Sequence, residues 1–404
     1  MTENPGIVVI GGGLTAAKAV ETLREEGFDG AITLIGEESE RPYERPPLSK
    51  DYLQGKSTSD ELYVHAEGWY GEHDVDARFG DAAVSIGRDG RTVTLASGDR
   101  VVYDQLLLAT GSRPNILRIP GADLAGVFSL RRIGDSDQIR AAFTEAGKLV
   151  VIGAGWIGLE TAAAARAAGL EVTVLEYAPL PLQRVLGDEL AQYFAELHRR
   201  NGVDLRTSVS VTSIEGTDGR VSAVRVGDES IPADLVIVGV GISPNAEIAS
   251  AAGLAVDNGV TVDERLRTSD PTIFAAGDVA NARNTALGAN IRVEHWDNAI
   301  RQGQLAAKSM LGEAVSYDWQ PYFYTDQFDL GMEYVGFASA GDDVVIRGDK
   351  ISGEFIAFWL RDGVLTAGMN VNIWDVNDEI RALIGKAIDP SRLADPQIPL
   401  TELG

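Results

Sequence analysis

Two stretches of the chain share one hydrophobic pattern, in which a short apolar run is followed by a glycine-rich turn and a helical repeat. Residues 7–10 and 149–152 are uninterrupted apolar runs with the length of buried parallel strands. After each helical repeat a glycine marks the helix end, and a second apolar run follows at residues 32–35 and 172–175. The pattern predicts two strand–helix–strand units, the first with a helix over residues 14–26.

The turn after the first strand of each unit has the spacing of a dinucleotide-binding loop. In the first copy Gly11 permits a tight turn, Gly13 lets backbone approach a pyrophosphate, and Ala16 allows close packing of helix and strand. The second copy has the full G-x-G-x-x-G spacing, at Gly153, Gly155 and Gly158. One such turn also occurs for packing alone, but two in the same context favour two bound dinucleotides.

Each unit delivers a carboxylate after its second strand, Glu37 in the first copy and Glu176 in the second. Such a residue accepts hydrogen bonds from a ribose. Glu176 would repel the 2′-phosphate of NADPH, and its neighbours Tyr177, Ala178 and Pro179 bring no compensating cation, although Arg184 follows nearby. The second site is therefore predicted to prefer NADH.

Residues 41–50 contain three prolines, which forbid a continuous helix and predict a stiff extended loop. Such a loop could hold Arg45 and Lys50 against an anion. Composition alone favours an ordinary solvated surface loop.

Three further predicted strands end in small residues. An antiparallel β-meander over residues 74–104 leads into a buried strand, 105–108, that ends at Ala109, Thr110 and Gly111. The strand 235–238 ends similarly at Gly239 and Gly241, which suggests an internal duplication. A third strand ends at Gly277 and Asp278, whose carboxylate is available to a chain of sugar-like hydroxyls, and a helix is predicted from Glu294 to about residue 310. From residue 317 onward, short alternating strands and a helix near residues 378–385 predict an α+β domain.

Length, composition and net charge exclude several classes of function. A chain of 404 residues predicts two or three domains, and a net charge of −25 argues against nucleic acid or anionic membrane as a partner. No apolar run reaches membrane-spanning length, and the polar start at residues 1–4 is unlike a signal peptide, so a cytoplasmic location is expected. The absence of cysteine excludes disulfide or thiol redox chemistry, and the four histidines lack ligand spacing, so no metal site is predicted.

Taken together, these motifs resemble those of the NADH-dependent, FAD-containing ferredoxin reductases of cytochrome P450 and ring-hydroxylating oxygenase systems. The resemblance rests on both glycine turns, residues 42–50, 109–111 and 276–278, and Glu160 after Gly158, and it extends to residues 324–327 and 374–378. It implies an α/β fold of the glutathione-reductase type: two Rossmann-like dinucleotide-binding domains plus a C-terminal α+β domain. The implied divisions are an FAD-binding domain, 1–114 and 245–318, an NAD-binding domain, 115–244, and an interface domain, 319–404.

The resemblance also implies site residues. Those expected to contact FAD are Gly13, Leu14, Thr15, Glu37, Arg45, Lys50, Ala83, Ala109, Thr110, Arg131, Asp278 and Trp296. Those expected to contact NADH are Gly155, Trp156, Ile157, Gly158, Glu160 and Glu176. The other predicted cofactor-site residues are Gly11, Ala16, Gly111, Gly153, Gly241, Gly277, Glu294, His295 and Tyr324. Lys50 and Glu160 are predicted to be the catalytic residues, as an ion pair near the reactive nitrogen of the flavin. The alternative interpretation of Glu160 is an ordinary carboxylate on a helix face that reaches solvent.

The implied activity follows from the chemistry of the cofactors. A nicotinamide gives two electrons as hydride, a [2Fe–2S] ferredoxin takes one at a time, and flavin can do both. We therefore expect hydride from NADH to reduce FAD, and two ferredoxins in turn each to take one electron and supply a P450 or oxygenase. A monomer or weak homodimer is expected. One interpretation of Arg301, Lys308 and the aromatic residues near Tyr324 is a docking face, and the alternative is that the two cations are ordinary solvated helix charges.

Two other functions remain open at this point. One is a thiol-free NADH oxidase, which would consume oxygen without ferredoxin. The other is a flavoprotein of the apoptosis-inducing-factor type that acts as a binding module. The strong negative charge opposes the second, because such modules usually present a basic surface to nucleic acid.

Overall fold

The structure, a computed structural model, describes residues 6–404. The polar start at residues 1–4, on which the expectation of no signal peptide depends, lies outside the described residues. Within residues 6–404, no helix has both the length and the apolar character that a bilayer span requires.

Within residues 6–404 the secondary structure consists of strands, α-helices and short 3-10 turns, and several series of strands have no α-helix between them. The strands are β1 (Gly6–Ile10), β2 (Ile32–Gly36), β3 (Val75–Phe79), β4 (Ala83–Gly87), β5 (Thr92–Leu95), β6 (Arg100–Leu108), β7 (Ser112–Pro114), β8 (Val127–Phe128), β9 (Lys148–Ile152), β10 (Glu171–Leu175), β11 (Val203–Arg206), β12 (Val211–Thr217), β13 (Arg220–Val226), β14 (Glu229–Pro232), β15 (Leu235–Val238), β16 (Ile242–Pro244), β17 (Val260–Val262), β18 (Ile273–Ala275), β19 (Ala280–Asn284), β20 (Ala289–Ile291), β21 (Tyr322–Gln327), β22 (Leu330–Gly336), β23 (Asp343–Asp349), β24 (Glu354–Arg361) and β25 (Val364–Val371). The α-helices are α1 (Leu14–Glu25), α2 (Trp69–Glu72), α3 (Ile133–Phe143), α4 (Trp156–Ala167), α5 (Gln183–Arg200), α6 (Glu247–Ala251), α7 (Trp296–Met310), α8 (Asn377–Leu383) and α9 (Pro390–Ala394).

The chain forms two compact units, and each is assembled from three separate segments. Among the described residues, the first unit consists of residues 6–44, Ser59–Arg113 and Ile242–Pro321. The second unit consists of Arg45–Thr58, Pro114–Gly241 and Tyr322–Gly404. The division into an FAD-binding, an NAD-binding and an interface domain is finer than this, and it stays a prediction.

The main sheet of the first unit has the strand order β3-β2-β1-β6-β5-β4, with β18 also paired to β6. Strand β1 pairs in parallel with β2 and with β6, and β6 pairs in parallel with β18. At the strand ends Ile10 lies opposite Ile35 and Leu108, and Leu108 also lies opposite Ala275. Their carboxyl ends therefore meet at one edge of the sheet, where ligands of open α/β sheets bind. The turns that the sequence singles out at residues 11–13, 109–111 and 276–278 all lie at this edge.

The prediction of a purely antiparallel meander over residues 74–104 is wrong in one respect. Strand β3 pairs with β2 in parallel, from Ile32 with Val75 to Gly36 with Phe79, and so extends the main sheet. Only β4, β5 and the first half of β6 are antiparallel. Residues 100–108 are one continuous strand whose second half turns to parallel pairing with β1.

The second unit repeats the arrangement in a smaller sheet with the order β11-β10-β9-β15-β8, all parallel. Ile152 is in register with Leu175 on one side and with Val238 on the other. The predicted turns at residues 153–158, Glu176 and Gly239–Gly241 consequently follow three neighbouring strand ends. Strands β12, β13 and β14 form an antiparallel sheet beside it.

Residues 322–371 form the antiparallel sheet β21-β22-β25-β24-β23, which confirms the predicted alternating strands. Helices α8 and α9 contribute the buried residues Ile380, Leu383 and Leu393 to one of its hydrophobic cores.

The proline-rich segment is less extended than the sequence predicts. Pro46–Ser49 forms one turn of 3-10 helix, with proline at its first positions, where the fixed φ of proline suits the turn and its missing N–H is not needed. Because this turn precedes Lys50 directly, it sets the direction of that side chain.

Candidate functional site

The first glycine turn leads from β1 into α1 and is shaped by close backbone contacts. Gly11 has a φ of +134°, and a Cβ there would lie 2.0 Å from the carbonyl oxygen of Ala109, so only glycine fits. Gly13 is the N-cap of α1, and a Cβ there would meet no atom of the surrounding described chain within 4 Å. No described side chain caps this helix, and its first turn carries no acidic residue. The start of α1 is therefore open at Gly13 and has no side-chain cap, as a bound phosphate requires.

Asp278 stands at the same sheet edge, after β18. Its Oδ2 accepts a hydrogen bond of 2.6 Å from the Ser112 hydroxyl, which fixes the carboxylate. The neighbouring Gly277 has a φ of +76° and donates its N–H to Gln302 Oε1 at 2.8 Å. It also packs closely on Thr15, because a Cβ at Gly277 would lie 2.3 Å from the Thr15 hydroxyl oxygen. The turn before Asp278 and the start of α1 are thus fitted to each other.

The remaining predicted residues of the first unit have defined places. The Thr110 hydroxyl donates to the Asn245 carbonyl at 2.7 Å, and the Asn245 amide donates back to the Thr110 carbonyl at 2.9 Å. His295 is the N-cap of α7, where burial lowers its pKa to about 4 against the opposing attraction of Asp278. Leu14, Ala16 and Ala109 are buried, whereas Glu37 is exposed. Ala83 is the first residue of β4, and Trp296 is the first residue of α7. Gly111 has a φ of +65°, and Glu294 forms an ion pair with Arg292.

The second glycine turn, between β9 and α4, has the same construction. Gly153 has a φ of +100°, and a Cβ there would lie 2.4 Å from the Gly239 carbonyl oxygen. A Cβ at Gly158 would lie 2.1 Å from the Gly153 carbonyl oxygen. Gly155 is the N-cap of α4 and is open: no surrounding atom of the described residues lies within 4 Å of its Cβ position, and no side chain there caps the helix.

Glu176 lies beside this second turn with its carboxylate held by backbone. Oε2 accepts from the Ala154 N–H and Oε1 from the Ala178 N–H, both at 2.7 Å. Tyr177 is 78% exposed, and Arg184 is exposed as well. The carboxylate is therefore oriented before any ligand arrives.

Three other predicted residues line the surroundings of this turn. Trp156 contacts Phe194 edge-on at 5.6 Å between ring centroids and Phe323 at 5.2 Å, whereas Ile157 is 44% exposed. Gly241 has a φ of +91°, and Asn115 holds its turn by donating its Nδ2 to the Val240 carbonyl at 3.1 Å.

The predicted ion pair between Lys50 and Glu160 is confirmed. Lys50 Nζ lies 2.8 Å from Glu160 Oε1, and Glu160 is only 4% exposed, so the alternative of a solvent-facing carboxylate is wrong. Two hydroxyls complete the shell of Glu160: Ser49 donates to Oε2 at 2.5 Å and Thr325 donates to Oε1 at 2.6 Å. A buried carboxylate is stable when it is paired and hydrogen-bonded in this way.

Aromatic and cationic groups adjoin the pair. Lys50 Nζ lies 5.4 Å from the ring centroid of Tyr324, within cation–π range. Arg45 donates to the Arg131 carbonyl at 2.5 Å, so these two predicted residues are neighbours in the second unit.

A cavity of about 470 Å³ opens beside the ion pair in the second unit. It is lined by Lys50, Asp51, Gln54, Lys56, Glu160, Ala163, Arg166, Ala167, Asn201, Asp326 and Phe328. The protein around Asp326 displaces water and raises the pKa of its carboxyl, and nearby Glu160 raises it further while Lys50 opposes the rise. The charges on the wall are balanced, with three cations and three carboxylates.

The predicted residues fall into three clusters, one in the first unit and two in the second. Sequence reasoning missed several polar residues that hold these clusters together: Ser112, Gln302 and Asn245 in the first unit, and Ser49, Thr325 and Asn115 in the second. Ser49 lies in the segment 42–50 and Thr325 in the segment 324–327, both already singled out, but no local pattern identifies the other four residues. Among residues 6–404, no group of three or more His, Asp and Glu side chains is placed to hold a metal ion.

The donor groups of this chain fit two dinucleotides. Each of the two open helix N-termini can bind a pyrophosphate, and each is followed in space by a carboxylate, Asp278 or Glu176, whose orientation is already fixed. The buried pair of Lys50 and Glu160 adds an ammonium group held in one direction.

Comparison with known proteins gives matches over nearly the whole chain. Residues 5–303 match the family described as pyridine nucleotide-disulphide oxidoreductase, and residues 322–404 match the family described as reductase C-terminal. Rhodocoxin reductase of Rhodococcus erythropolis is 40% identical over 353 residues, which is 87% of this chain and 83% of the relative.

Two solved structures are similar throughout. The ferredoxin reductase for the CYP199A2 system of Rhodopseudomonas palustris has a TM-score of 0.95 and 38% identity, covering 98% of this chain and 99% of the other. Putidaredoxin reductase, in its covalent complex with putidaredoxin, has a TM-score of 0.95 and 35% identity, covering 99% of this chain and 98% of the other.

Proposed function

Because the chain belongs to the ferredoxin reductases of the pyridine nucleotide-disulphide oxidoreductase family, we propose that it passes electrons from NADH through FAD to a [2Fe–2S] ferredoxin. Relatives named as reductases of P450 systems support a P450 or oxygenase as the final acceptor. The observation that carries the proposal is the presence of two open glycine turns in a chain with no cysteine. Without a thiol, the disulfide-reducing branch of the family is excluded.

The chemistry of the bound cofactors explains why both are needed. FAD, when bound, accepts the hydride of NADH as two electrons and releases them singly to an iron–sulfur acceptor. The protein has only to bind, orient and shield the two cofactors, because hydride transfer depends mainly on positioning and electrostatics.

We assign the FAD phosphates to the N-terminus of α1. Gly11 and Gly13 form the cradle, and no carboxylate in the first turn of the helix repels an anion. Glu37 would accept from the adenosine ribose. Asp278, held by Ser112, would accept from the hydroxyls of the flavin side chain.

We assign NADH to the second turn, with its pyrophosphate at the N-terminus of α4. Glu176 would accept hydrogen bonds from the ribose 2′-hydroxyl next to the adenine. Its carboxylate already receives two backbone N–H groups, so it cannot swing away without losing both. A 2′-phosphate at that position would meet a fixed negative charge, which supports the preference for NADH over NADPH.

Lys50 and Glu160 are proposed to act on the reacting end of the cofactors. Glu160 holds the Lys50 ammonium in one orientation, and Tyr324 limits its other side. A fixed positive charge at such a position stabilises negative charge that develops during reduction. No residue is needed as a general acid or base, because hydride transfer to flavin depends mainly on positioning and electrostatics.

Three finer points are proposals of the same kind. They are the division into FAD-binding, NAD-binding and interface domains, a monomeric or weakly dimeric state, and a cytoplasmic location.

The docking face for ferredoxin is proposed to use Arg301, Lys308 and the aromatic residues near Tyr324. Arg301 pairs with Asp297 at 2.9 Å and Lys308 with Glu26 at 3.0 Å, so neither charge is fully available in the structure.

The test is an anaerobic titration of the purified protein. NADH should bleach the flavin absorbance with one equivalent, NADPH should do so far less readily, and added ferredoxin should then reduce cytochrome c. Protein that remains colourless after reconstitution with FAD would refute the proposal. Rapid oxygen consumption, with no stimulation by any ferredoxin, would instead favour a thiol-free NADH oxidase.

A further inference from the structure

A chain of hydrogen bonds runs from Glu160 into the interior of the second unit. A carboxylate can only accept, so the Thr325 hydroxyl must donate its proton to Glu160 Oε1, at 2.6 Å. The oxygen of Thr325 is then left to accept. It does so from Gln327 Nε2 at 3.2 Å.

This second link fixes the orientation of the Gln327 amide. With Nε2 directed at Thr325, Oε1 is directed at His198 Nε2, 2.8 Å away. An amide oxygen cannot donate, so His198 must carry a proton on Nε2. Thr325 and Gln327 are two residues apart on β21 and therefore project from the same face of the strand.

His198 itself lies on α5 and is fully buried, with Phe328 edge-on at 5.1 Å between ring centroids. Burial lowers its pKa to about 4, so the ring is neutral at pH 7. Its Nδ1 has no hydrogen-bond partner within the described part of the chain. A neutral ring with one proton on Nε2 satisfies every group in this chain except Nδ1.

We propose that Thr325, Gln327 and His198 are positioning residues that hold the Glu160 carboxylate in one orientation. They act on the reaction only through Glu160 and, through it, through Lys50. Gln327 donates a hydrogen bond to the Thr325 hydroxyl oxygen, and His198 donates one to the Gln327 amide oxygen. The Thr325 hydroxyl therefore has one rotamer that satisfies all three groups. The proposal rests on the role of Lys50 and Glu160 assigned above.

The first arm of the test is the protonation of His198 in the FAD-containing protein. The chain has four histidines, so histidine labelled with ¹⁵N gives four rings, and the His198→Gln variant identifies the ring of His198. We expect a neutral ring with its proton on Nε2 from pH 6 to pH 8. A proton on Nδ1, or a charged ring at pH 7, would overturn the proposed chain.

The second arm compares Thr325→Val, which has the shape of threonine but no donor, with Thr325→Ser, which keeps the hydroxyl. Removing this donor leaves Oε1 of Glu160 with one fewer contact that fixes its direction. NADH-driven flavin reduction should be at least fivefold slower in Thr325→Val than in Thr325→Ser. The His198 resonances should shift in Thr325→Val and stay in place in Thr325→Ser.

Thr325→Ser is the control for stability, because both variants keep every charged group beside Glu160. Equal rates of flavin reduction in the two variants would overturn the positioning role even if both are less stable than the wild type.

The two arms separate this inference from the proposed function. If Lys50→Met reduces its flavin at the wild-type rate, the role assigned to Lys50 fails, while the His198 proton still reports the hydrogen-bonded chain. If the proton is misplaced and Lys50→Met is slow, the function stands and the positioning chain fails.

Discussion

The hydroxyl of Ser112 donates a 2.6 Å hydrogen bond to Oδ2 of Asp278, although the two residues are 166 positions apart in the sequence. They meet because β6 and β18 pair in parallel and end at the same edge of the first unit's sheet. The carboxylate proposed to bind the flavin side chain is thus fixed by a residue that follows the neighbouring strand.

Removing this hydroxyl should weaken FAD binding. We expect Ser112→Ala to lower the affinity for FAD about tenfold, because a hydrogen bond to a charged group contributes about 1.5 kcal/mol. Titrating the FAD-free protein with FAD and following the fluorescence measures this. Ser97→Ala is the matched control, since Ser97 donates to Asp81 at 2.7 Å in a surface turn. Equal affinities for both variants would contradict the assignment of Asp278.

Breaking the buried ion pair should affect rate and stability together. Lys50→Met leaves Glu160 buried and unpaired, which we expect to destabilise the fold by about 3 kcal/mol and to slow flavin reduction in stopped flow at least tenfold. Lys56→Met is the control, because Lys56 is 62% exposed and lies 3.8 Å from Asp51. Adding Glu160→Gln to Lys50→Met should restore stability without restoring the rate. Recovery of both would mean that the pair is purely structural.

The preference for NADH should depend on Glu176. We expect Glu176→Ala to lose selectivity, with the ratio of kcat/KM for NADH over NADPH falling about tenfold or more, because the negative charge facing a 2′-phosphate is removed. Glu171→Ala changes the same residue type at the opposite end of β10, where the side chain is 78% exposed, and should leave the ratio unchanged. An unaltered ratio in Glu176→Ala would place the discrimination elsewhere.

Substituting Gly155 should weaken nucleotide binding without changing the stability of the fold. A Cβ at this position meets open space and the φ of −79° suits alanine, so Gly155→Ala should keep the wild-type Tm. The added methyl group would occupy space at the start of α4, and we expect the Kd for NADH to rise about tenfold. Gly134→Ala, on α3 with equally open surroundings, should change neither quantity. A normal Kd in Gly155→Ala would exclude this turn as the pyrophosphate site.

His198 should make the protein sensitive to mild acid. Its folded-state pKa of about 4 lies below the unfolded value of 6.5, so its contribution to stability is complete above pH 6.5 and is lost as the pH falls toward 4. Between pH 7.5 and 5.5 the wild type should lose about 1 kcal/mol more of its free energy of unfolding than His198→Gln does. Urea unfolding at the two pH values measures the difference, with His73→Gln as control, a half-buried ring stacked on Trp69 at 4.1 Å. Parallel losses in wild type and His198→Gln would show that His198 is already charged or exposed.

The sequence was informative wherever one short segment contains a whole physical requirement. Gly11 and Gly153 need a positive φ and a close backbone contact, and the apolar strand before each and the helix after it are adjacent in the chain. The ion pair of Lys50 and Glu160, by contrast, joins residues 110 positions apart, and only the resemblance to a family suggested it.

Residues that act across the fold gave no such signal. No spacing or periodic pattern identifies the roles of Ser112, Gln302 and Thr325, because their partners are brought to them by sheet pairing or helix packing. The direction of β3 was missed for a related reason. Alternation of apolar and polar residues identifies a strand but does not say whether its neighbour runs parallel to it.

The first unit is interrupted twice by segments of the second, and this affects the order in which it can be completed. Strand β18 begins at Ile273, 165 residues after β6 ends at Leu108, and helix α7, whose Gly303 fits against the Thr15 carbonyl, comes later still. At a synthesis rate of about 5–20 residues per second, the nascent sheet waits roughly 10–30 s for its last parallel strand. During that interval the edge of β6 stays uncovered on the ribosome, which makes this strand the natural client segment for a chaperone.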